Sequence, residues 1–108
     1  MSLDAGKLNQ RVTLQAFSTE RDSEGAVTEE WTDVATVWAS VEPLSAREFV
    51  QAAATQSKVT ARIVIRYRDD VVPTMRAVHR GKTYNIEGVL PDKDSGLEYL
   101  TLPVSELG

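Results

Sequence analysis

Few side chains in this sequence could take part in catalysis or metal binding. His79 is the only histidine, and the chain contains no cysteine, so a second strong metal ligand of either type is missing. Ser45 could serve as a nucleophile, but it does not stand in the glycine-flanked turn that presents a catalytic serine. We therefore interpret His79 as a structural residue, and we expect neither a metal ion nor another cofactor.

Two carboxylate pairs are the remaining candidates for acid–base chemistry. Glu29 and Glu30 are adjacent in the sequence, as are Asp69 and Asp70. Adjacent side chains point to opposite faces of a strand, whereas acid–base catalysis needs two carboxyls that meet in contrasting environments. A glycine-rich phosphate-binding loop is also missing from the sequence. The sequence therefore predicts no enzymatic activity.

A row of arginines is the strongest candidate for binding a partner. Alternation along a predicted strand places Arg62, Arg66 and Arg68 on one face, and Arg76 and Arg80 from the next strand could join them. Such a row could neutralise nucleic-acid phosphates, but Tyr67, the one aromatic residue among them, is predicted to point away. We interpret these arginines as a subunit or partner interface, and keep a small nucleic-acid-binding barrel as an alternative.

The distribution of charge also indicates a partner. Residues 58–82 carry seven basic and two acidic residues, a net charge of +5, whereas the chain as a whole has −4. Such asymmetry favours a charge-complementary partner, and a second copy of the same chain is one candidate. In that case the basic stretch would meet an acidic surface such as residues 18–33.

Alternation of apolar and polar residues predicts an all-β fold. Six or seven short strands separated by turn residues are typical of a small antiparallel barrel or sandwich. The length of 108 residues suits a single domain over residues 1–108. A polar loop is predicted over residues 18–25. The predicted strands span residues 11–17, 26–31, 34–41, 59–68, 75–79, 83–90 and 97–104.

Trp38 lies on the polar side of the strand predicted over residues 34–41. Ala35, Val37, Ala39 and Val41 share the opposite face of that strand. A tryptophan in this position either closes a second layer of the core or anchors an interface with a partner. The sequence leaves both interpretations open.

A long insertion over residues 44–57 interrupts the strand pattern. Ser45 can cap a helix, Glu48 can reach back to the Ser45 amide, and Leu44 and Phe49 occupy the positions of a hydrophobic staple. The alanine-rich residues that follow favour a helix. The sequence therefore predicts a long loop or a short helix inserted between two strands. Insertions of this length in a small domain are usually functional.

Several segments, taken in order, carry a resemblance to a known family. They read DAGKLNQRVTLQ at residues 4–15, VATVWASVEPLSARE at 34–48, VTAR at 59–62, IRYR at 65–68, PTMR at 73–76 and GKTYNI at 81–86. The set resembles the phage head–tail joining family, the small head-closure or stopper proteins of long-tailed phages and prophages. The resemblance covers residues 5 to about 102. The family often has glycine where this chain has Ala46, a change that favours helix.

The resemblance implies a structural part of the virion. It implies a β-barrel that forms a homo-oligomeric ring below the portal-bound adaptor ring and retains the packaged double-stranded DNA, which passes through it. The ring would present the docking surface for a tail-terminator or tail-completion protein. Such a ring lies at the head–tail interface after assembly in the host cytoplasm. No apolar run approaches the roughly 20 residues of a membrane span. A tail-completion or tail-terminator protein with a similar barrel is an alternative.

The resemblance also gives the insertion a role. In relatives the corresponding segment projects into the central channel and helps to gate DNA exit. A helix of about ten residues is marginal in water, so this segment could be helical in a free subunit and rearrange in the ring. The alternative is a fixed crossover helix that covers an open end of the barrel. The candidate channel residues are Leu44, Ser45, Arg47, Glu48, Phe49 and Gln51.

Overall fold

The structure, a computed structural model, describes residues 5–107. Asp4, the first residue of the quoted opening segment, lies outside that range, as do the other terminal residues of the predicted 1–108 domain. A single 3-10 turn at Ala5–Lys7 precedes the first strand. The strands and the helix are β1 (Gln10–Arg21), β2 (Val27–Pro43), α1 (Ala46–Ala54), β3 (Ala61–Arg66), β4 (Arg76–His79), β5 (Lys82–Ile86), β6 (Leu90–Pro91) and β7 (Tyr99–Glu106).

The strands form one antiparallel sheet that closes on itself. Their order is β3-β2-β1-β4-β5-β7-β6, and an additional pairing between β3 and β7 joins the two sides of the sheet. In this pairing Ala61 lies opposite Val104 and Arg66 lies opposite Tyr99. The prediction of an all-β antiparallel barrel of six to seven strands with one inserted helix is therefore confirmed.

Alternate residues of the longer strands point inwards and fill the barrel. Val12 and Leu14 of β1 and Ile63 and Ile65 of β3 are fully buried, as their alternation predicts. Tyr67 was predicted on this inner face, but it is exposed because β3 ends at Arg66. The last strand contributes the largest share of the remaining core, from Leu100, Leu102 and Val104.

The strands predicted over residues 26–31 and 34–41 are one continuous strand. A β-bulge interrupts the pairing of β1 with β2, because Leu14 lies opposite Ala35 whereas Gln15 lies opposite Asp33, which leaves Val34 as the extra residue. An extra residue reverses the inward and outward alternation beyond it. The sequence pattern therefore breaks at Val34 although the strand does not, and the prediction of two strands is wrong.

The first two strands continue past the barrel as a two-stranded arm. β4 pairs with β1 only from Thr13 to Gln15, and beyond this point β1 and β2 pair only with each other as far as Arg21 and Val27. The first half of the loop predicted over residues 18–25 is therefore strand, and the turn spans residues 22–26. We call residues 18–33 the acidic arm, since they contain six acidic residues and one basic residue. The arm helps to make the molecule 53 Å long and 25 Å across.

A two-residue turn joins β4 to β5, where the sequence predicts a hairpin. His79 pairs with Lys82, so Arg80 and Gly81 alone make the turn. Both have positive φ angles, 51° and 79°, which is the backbone of the turn type that matches the twist of a β-hairpin. Glycine adopts this conformation at no steric cost.

Asp92 organises the loop between β6 and β7. Its carboxylate accepts hydrogen bonds from the backbone amides of Ser95, Gly96, Glu98 and Tyr99, at 2.9–3.2 Å. These bonds, led by that from the Glu98 amide, lower the pKa of the Asp92 carboxyl well below its ordinary value. The loop therefore depends on an ionised side chain at its centre.

We expect the Asp92→Asn variant to be less stable than the wild type at pH 7. The new amide group would face backbone N–H groups with a donor instead of an acceptor. Because the folded-state pKa of Asp92 is lowered, its contribution is complete above the unfolded pKa of about 3.9 and declines as the pH falls below it. Urea unfolding at pH 7 and pH 3 should therefore show a larger difference between the two proteins at pH 7.

The matched control is Asp69→Asn, at an exposed residue of the turn after β3. This variant should have nearly the same free energy of unfolding as the wild type at both pH values. Equal stability of Asp92→Asn and wild type at pH 7 would contradict a central role of Asp92.

Candidate partner-binding surfaces

The inserted segment is a short helix with the predicted start. The Glu48 backbone amide donates to Ser45 Oγ at 3.2 Å, and the Ser45 amide donates to Glu48 Oε1 at 3.3 Å. Both bonds of the capping box are thus formed, and the nine-residue helix α1 runs from Ala46 to Ala54. At its base, the Leu44 amide donates to the Thr60 carbonyl oxygen at 3.1 Å. The interpretation of Ser45 as a helix cap, not a nucleophile, agrees with these contacts.

Arg62 of β3 connects the helix to the barrel. Its guanidinium forms an ion pair with the Glu48 carboxylate, and both side chains are partly exposed, at 34% and 42%. The pKa of Glu48 is lowered first by its hydrogen bonds with Ser45 and then by the positive charge of Arg62. The structure therefore brings together a predicted channel residue and a predicted interface residue within one subunit.

The helix is otherwise unsupported. None of its residues is buried, and the side chain of Phe49 is 56% exposed. Arg47 and Gln51 are exposed too, whereas Leu44, just before the helix, is half-buried. A helix that buries no side chain does not cover the barrel core, so the alternative of a helical lid over an open barrel end is wrong for this structure. The predicted channel residues lie together on a projection.

Trp38 and Arg66 lie on an aromatic groove on the outer face of the barrel. Trp38 is 55% exposed, and the Arg11 guanidinium lies 4.7 Å from the centre of its ring. Trp38 therefore does not close a second core layer within the subunit. A surface cavity of about 270 Å³ lies beside Trp38 and Arg11, and Arg66, Tyr67 and Arg68 also line it. We call the surface of these five residues the aromatic groove.

The charges of the groove are not equally available to a partner. Arg68 donates to both oxygens of Asp70, at 2.9 and 3.0 Å, and these bonds lower the pKa of the Asp70 carboxyl. Arg66 is exposed and lines two further depressions of the surface beside the groove. Within residues 5–107, neither Arg11 nor Arg66 forms an ion pair. Their positive charges are available to a partner.

Arg76 belongs to a different contact, at the base of the acidic arm. Its guanidinium lies 4.3 Å from the centre of the Trp31 ring, and its Nε donates to Gln15 Oε1 at 2.7 Å. The Trp31 ring in turn meets the ring of Phe17 edge to face, with centroids 5.3 Å apart. These contacts fix the arm to the outer face of the barrel, so Arg76 acts within the subunit.

The predicted arginine row is therefore divided between three places. Arg62 holds the helix, Arg76 holds the arm, and Arg66 and Arg68 line the aromatic groove. The arginines do not form one continuous surface for nucleic-acid phosphates. Sequence reasoning missed Arg11 and the position of Tyr67 in the groove. Arg11 lies opposite Trp38 in the pairing of β1 with β2, a register that the sequence alone did not show.

In the part of the chain that the structure describes, His79 and the acidic side chains, the remaining candidates for catalysis or metal binding, show no arrangement suited to either. His79 is half-buried, and its Nε2 lies 3.1 Å from Gln10 Oε1. Burial lowers the pKa of His79, and the nearby charges of Arg80 and Lys82 lower it further. Across residues 5–107, no group of three His, Cys, Asp or Glu side chains could hold a metal ion. No helix in that range is long and apolar enough to span a bilayer.

Comparison with known families gives a match over nearly the whole chain. Residues 3–107 match the family described as phage head completion protein. The chain is 32% identical over 90 residues to head completion protein gp16 of Bacillus phage SPP1, covering 83% of this chain and 82% of that protein. It is 30% identical over 91 residues to head completion protein gp7 of Enterobacteria phage HK97, covering 80% and 81%.

Solved structures agree with the barrel fold. The solution structure of protein SF1141 from Shigella flexneri 2a superimposes with a TM-score of 0.79 at 34% identity, covering 96% of both chains. A chain in the virion of a native gene transfer agent particle superimposes with a TM-score of 0.55 at 19% identity, covering 92% of this chain and 94% of that one. The second likeness concerns the fold alone.

We expect loss of the helix cap to open the inserted segment of the free protein. Replacing a serine cap by alanine costs about 1 kcal/mol, so Ser45→Ala should raise the population of opened helices about fivefold. Trypsin cleavage after Arg47 should rise by a similar factor, because cleavage follows the opened population. Arg62→Met should give a smaller increase, since partly exposed ion pairs contribute little.

Lys58→Met is the control, because it removes an exposed cation that forms no ion pair with residues 5–107. Its cleavage rate after Arg47 should equal that of the wild type. A cleavage rate unchanged by Ser45→Ala would show that the cap does not hold the segment.

Proposed function

Since this chain belongs to the phage head completion protein family, we propose that it forms the ring that closes a DNA-filled phage head and receives the tail. The observation that carries this proposal is the family match, which spans residues 3–107. Both curated relatives are named head completion proteins, and the chain covers more than four fifths of each. The role is structural: the protein joins head and tail in the virion.

The proposed partners follow from the position of such a ring. One face of the ring contacts the portal-bound adaptor ring, and the opposite face presents the docking surface for a tail-terminator or tail-completion protein. The packaged double-stranded DNA lies in the central channel. The ring itself consists of copies of this chain, and the exposed side chains described above provide candidates for each contact.

We assign the channel side to the inserted segment. It is a projection from the barrel, it buries none of its own residues, and its base is fixed by the backbone bond between Leu44 and Thr60. Because the segment makes few contacts with its own barrel, moving it costs the subunit little free energy. Such a projection can block a channel or withdraw from it. The residues that would line the channel are Leu44, Ser45, Arg47, Glu48, Phe49 and Gln51.

The same segment is suited to rearrange when the ring forms. A nine-residue helix is marginal in water without tertiary support, and here that support is chiefly the capping box and the Glu48–Arg62 ion pair. Contacts with neighbouring copies could replace these few interactions. We propose that the segment is helical in the free subunit and changes conformation in the ring.

The first test is deletion of the gene from the phage or prophage that encodes it. We expect electron micrographs of the lysate to show full-sized tails beside unjoined heads, many emptied of DNA. Supplying the wild-type gene from a plasmid should restore joined particles and serves as the control. Joined particles in the deletion lysate would contradict the proposed function.

The rearrangement is tested by comparing the free subunit with assembled particles. The rate of trypsin cleavage after Arg47 should differ between the particle and the free subunit. Lys93, in the Asp92 loop, is the reference cleavage site. Hydrogen exchange of the amides of residues 46–54 gives a second readout. Equal cleavage and equal exchange in the two states would refute the rearrangement.

A further inference from the structure

The aromatic groove and the tip of the acidic arm lie at opposite ends of the same two strands. The groove includes the cross-strand pair of Arg11 and Trp38, and the arm ends at the pair of Arg21 and Val27. About ten residues of strand separate the two pairs, a distance of roughly 30 Å along the ribbon. The arm therefore cannot reach the groove of its own subunit.

We propose that the acidic arm of one copy docks in the aromatic groove of the next copy. This inference rests on the proposed ring and names the contact that builds it. It differs from a contact through the whole basic stretch of residues 58–82, because Arg62 and Arg76 are engaged within the subunit.

The charges of the two surfaces are complementary and unpaired. Glu20, Glu29 and Glu30 of the arm are exposed, and within residues 5–107 they form no ion pair. The same is true of Arg11 and Arg66 in the groove. Opposite charges on two surfaces guide them together and fix their relative orientation. The arm supplies a surplus of carboxylates, and the groove supplies two available guanidinium groups.

The groove also has the apolar side chains that such a contact needs. Trp38 is more than half exposed, and Tyr67 is exposed as well. The exposed Leu97 lines a depression next to the groove together with Arg66 and Tyr67. Exposed tryptophan, tyrosine and arginine are the residue types that contribute most to binding at protein interfaces. The contact would also stabilise the arm, because a two-stranded ribbon without a covering layer is only marginally stable in water.

The arrangement repeats from one copy to the next. Each copy has one arm and one groove on different parts of its surface, so the contact is heterologous and every copy both gives and receives an arm. Contacts of this type close into a ring when the rotation between neighbours divides a full turn. A ring in which each subunit holds its neighbour in this way has no unused arm.

A charge exchange in complemented deletion phage tests the contact. Arg11→Glu/Arg66→Glu in the groove should lower the number of joined particles about tenfold or more. Glu20→Arg/Glu30→Arg should do the same, because these two carboxylates share one face of the arm. The four changes together should restore joining, because they exchange the charges of the two surfaces. The control is Arg80→Glu, at an exposed arginine outside the groove, which should join normally.

Cross-linking gives a direct readout that does not depend on loss of function. The chain has no cysteine, so Glu24→Cys at the arm tip can be combined with Thr36→Cys, at a residue that also lines the cavity of the groove. A short bismaleimide should convert the protein of joined particles into a ladder of multimers on a denaturing gel. The pair Glu24→Cys and Lys82→Cys is the control and should give no ladder.

The outcomes separate this contact from the ring proposal. If the deletion lysate lacks joined particles but complemented, joined particles give no ladder, the head-closure role stands and the arm contact is refuted. A ladder in the control pair, or cross-links only to a different virion protein, would also refute it. A failure of the fourfold charge exchange to restore joining, in a variant with the circular dichroism of the wild type, would count against it in the same way.

Discussion

The pairing of β3 with β7 is the contact that turns this sheet into a barrel. β7 hydrogen-bonds to β3 along one edge and to β5 and β6 along the other. Because side chains alternate between the two faces, a slip of one residue in this ladder would turn the buried leucines of β7 out to solvent. The contact joins segments about 40 residues apart in the chain, so closing it costs loop entropy that the shared core must repay.

Closure of the barrel explains why the helix and the acidic arm can be held so much more loosely than the barrel strands. Once the barrel part of the sheet is closed, the apolar core is complete without the helix or the acidic arm. Both projections are therefore held by a few polar and aromatic contacts at their bases, the capping box with Arg62 for the helix, and Trp31 with Arg76 for the arm. Such contacts are few, so either projection can change its contacts without disturbing the core.

Local features of the fold could be predicted from the sequence, and long-range contacts could not. The capping box at Ser45 and Glu48, the turn at Gly81 and the inner faces of β1 and β3 depend on neighbouring residues. The continuity of β2 was missed because a bulge, which needs a partner strand to exist, reverses the alternation. The role of Arg62 was missed because the sequence does not show that Glu48, fourteen residues earlier, lies beside it. The division of the arginine row between three places was missed for the same reason, because it also depends on contacts between residues far apart in the sequence.

The charge of the arm has a consequence for the exposed edges of its two strands. Its two strands expose unpaired backbone edges, which are templates for unwanted pairing with other strands. Carboxylates on both strands make the arms of free subunits repel one another, so edge-to-edge stacking in a crowded cell is disfavoured. The carboxylates thus protect the exposed edges of the arm from pairing with the arm of another copy.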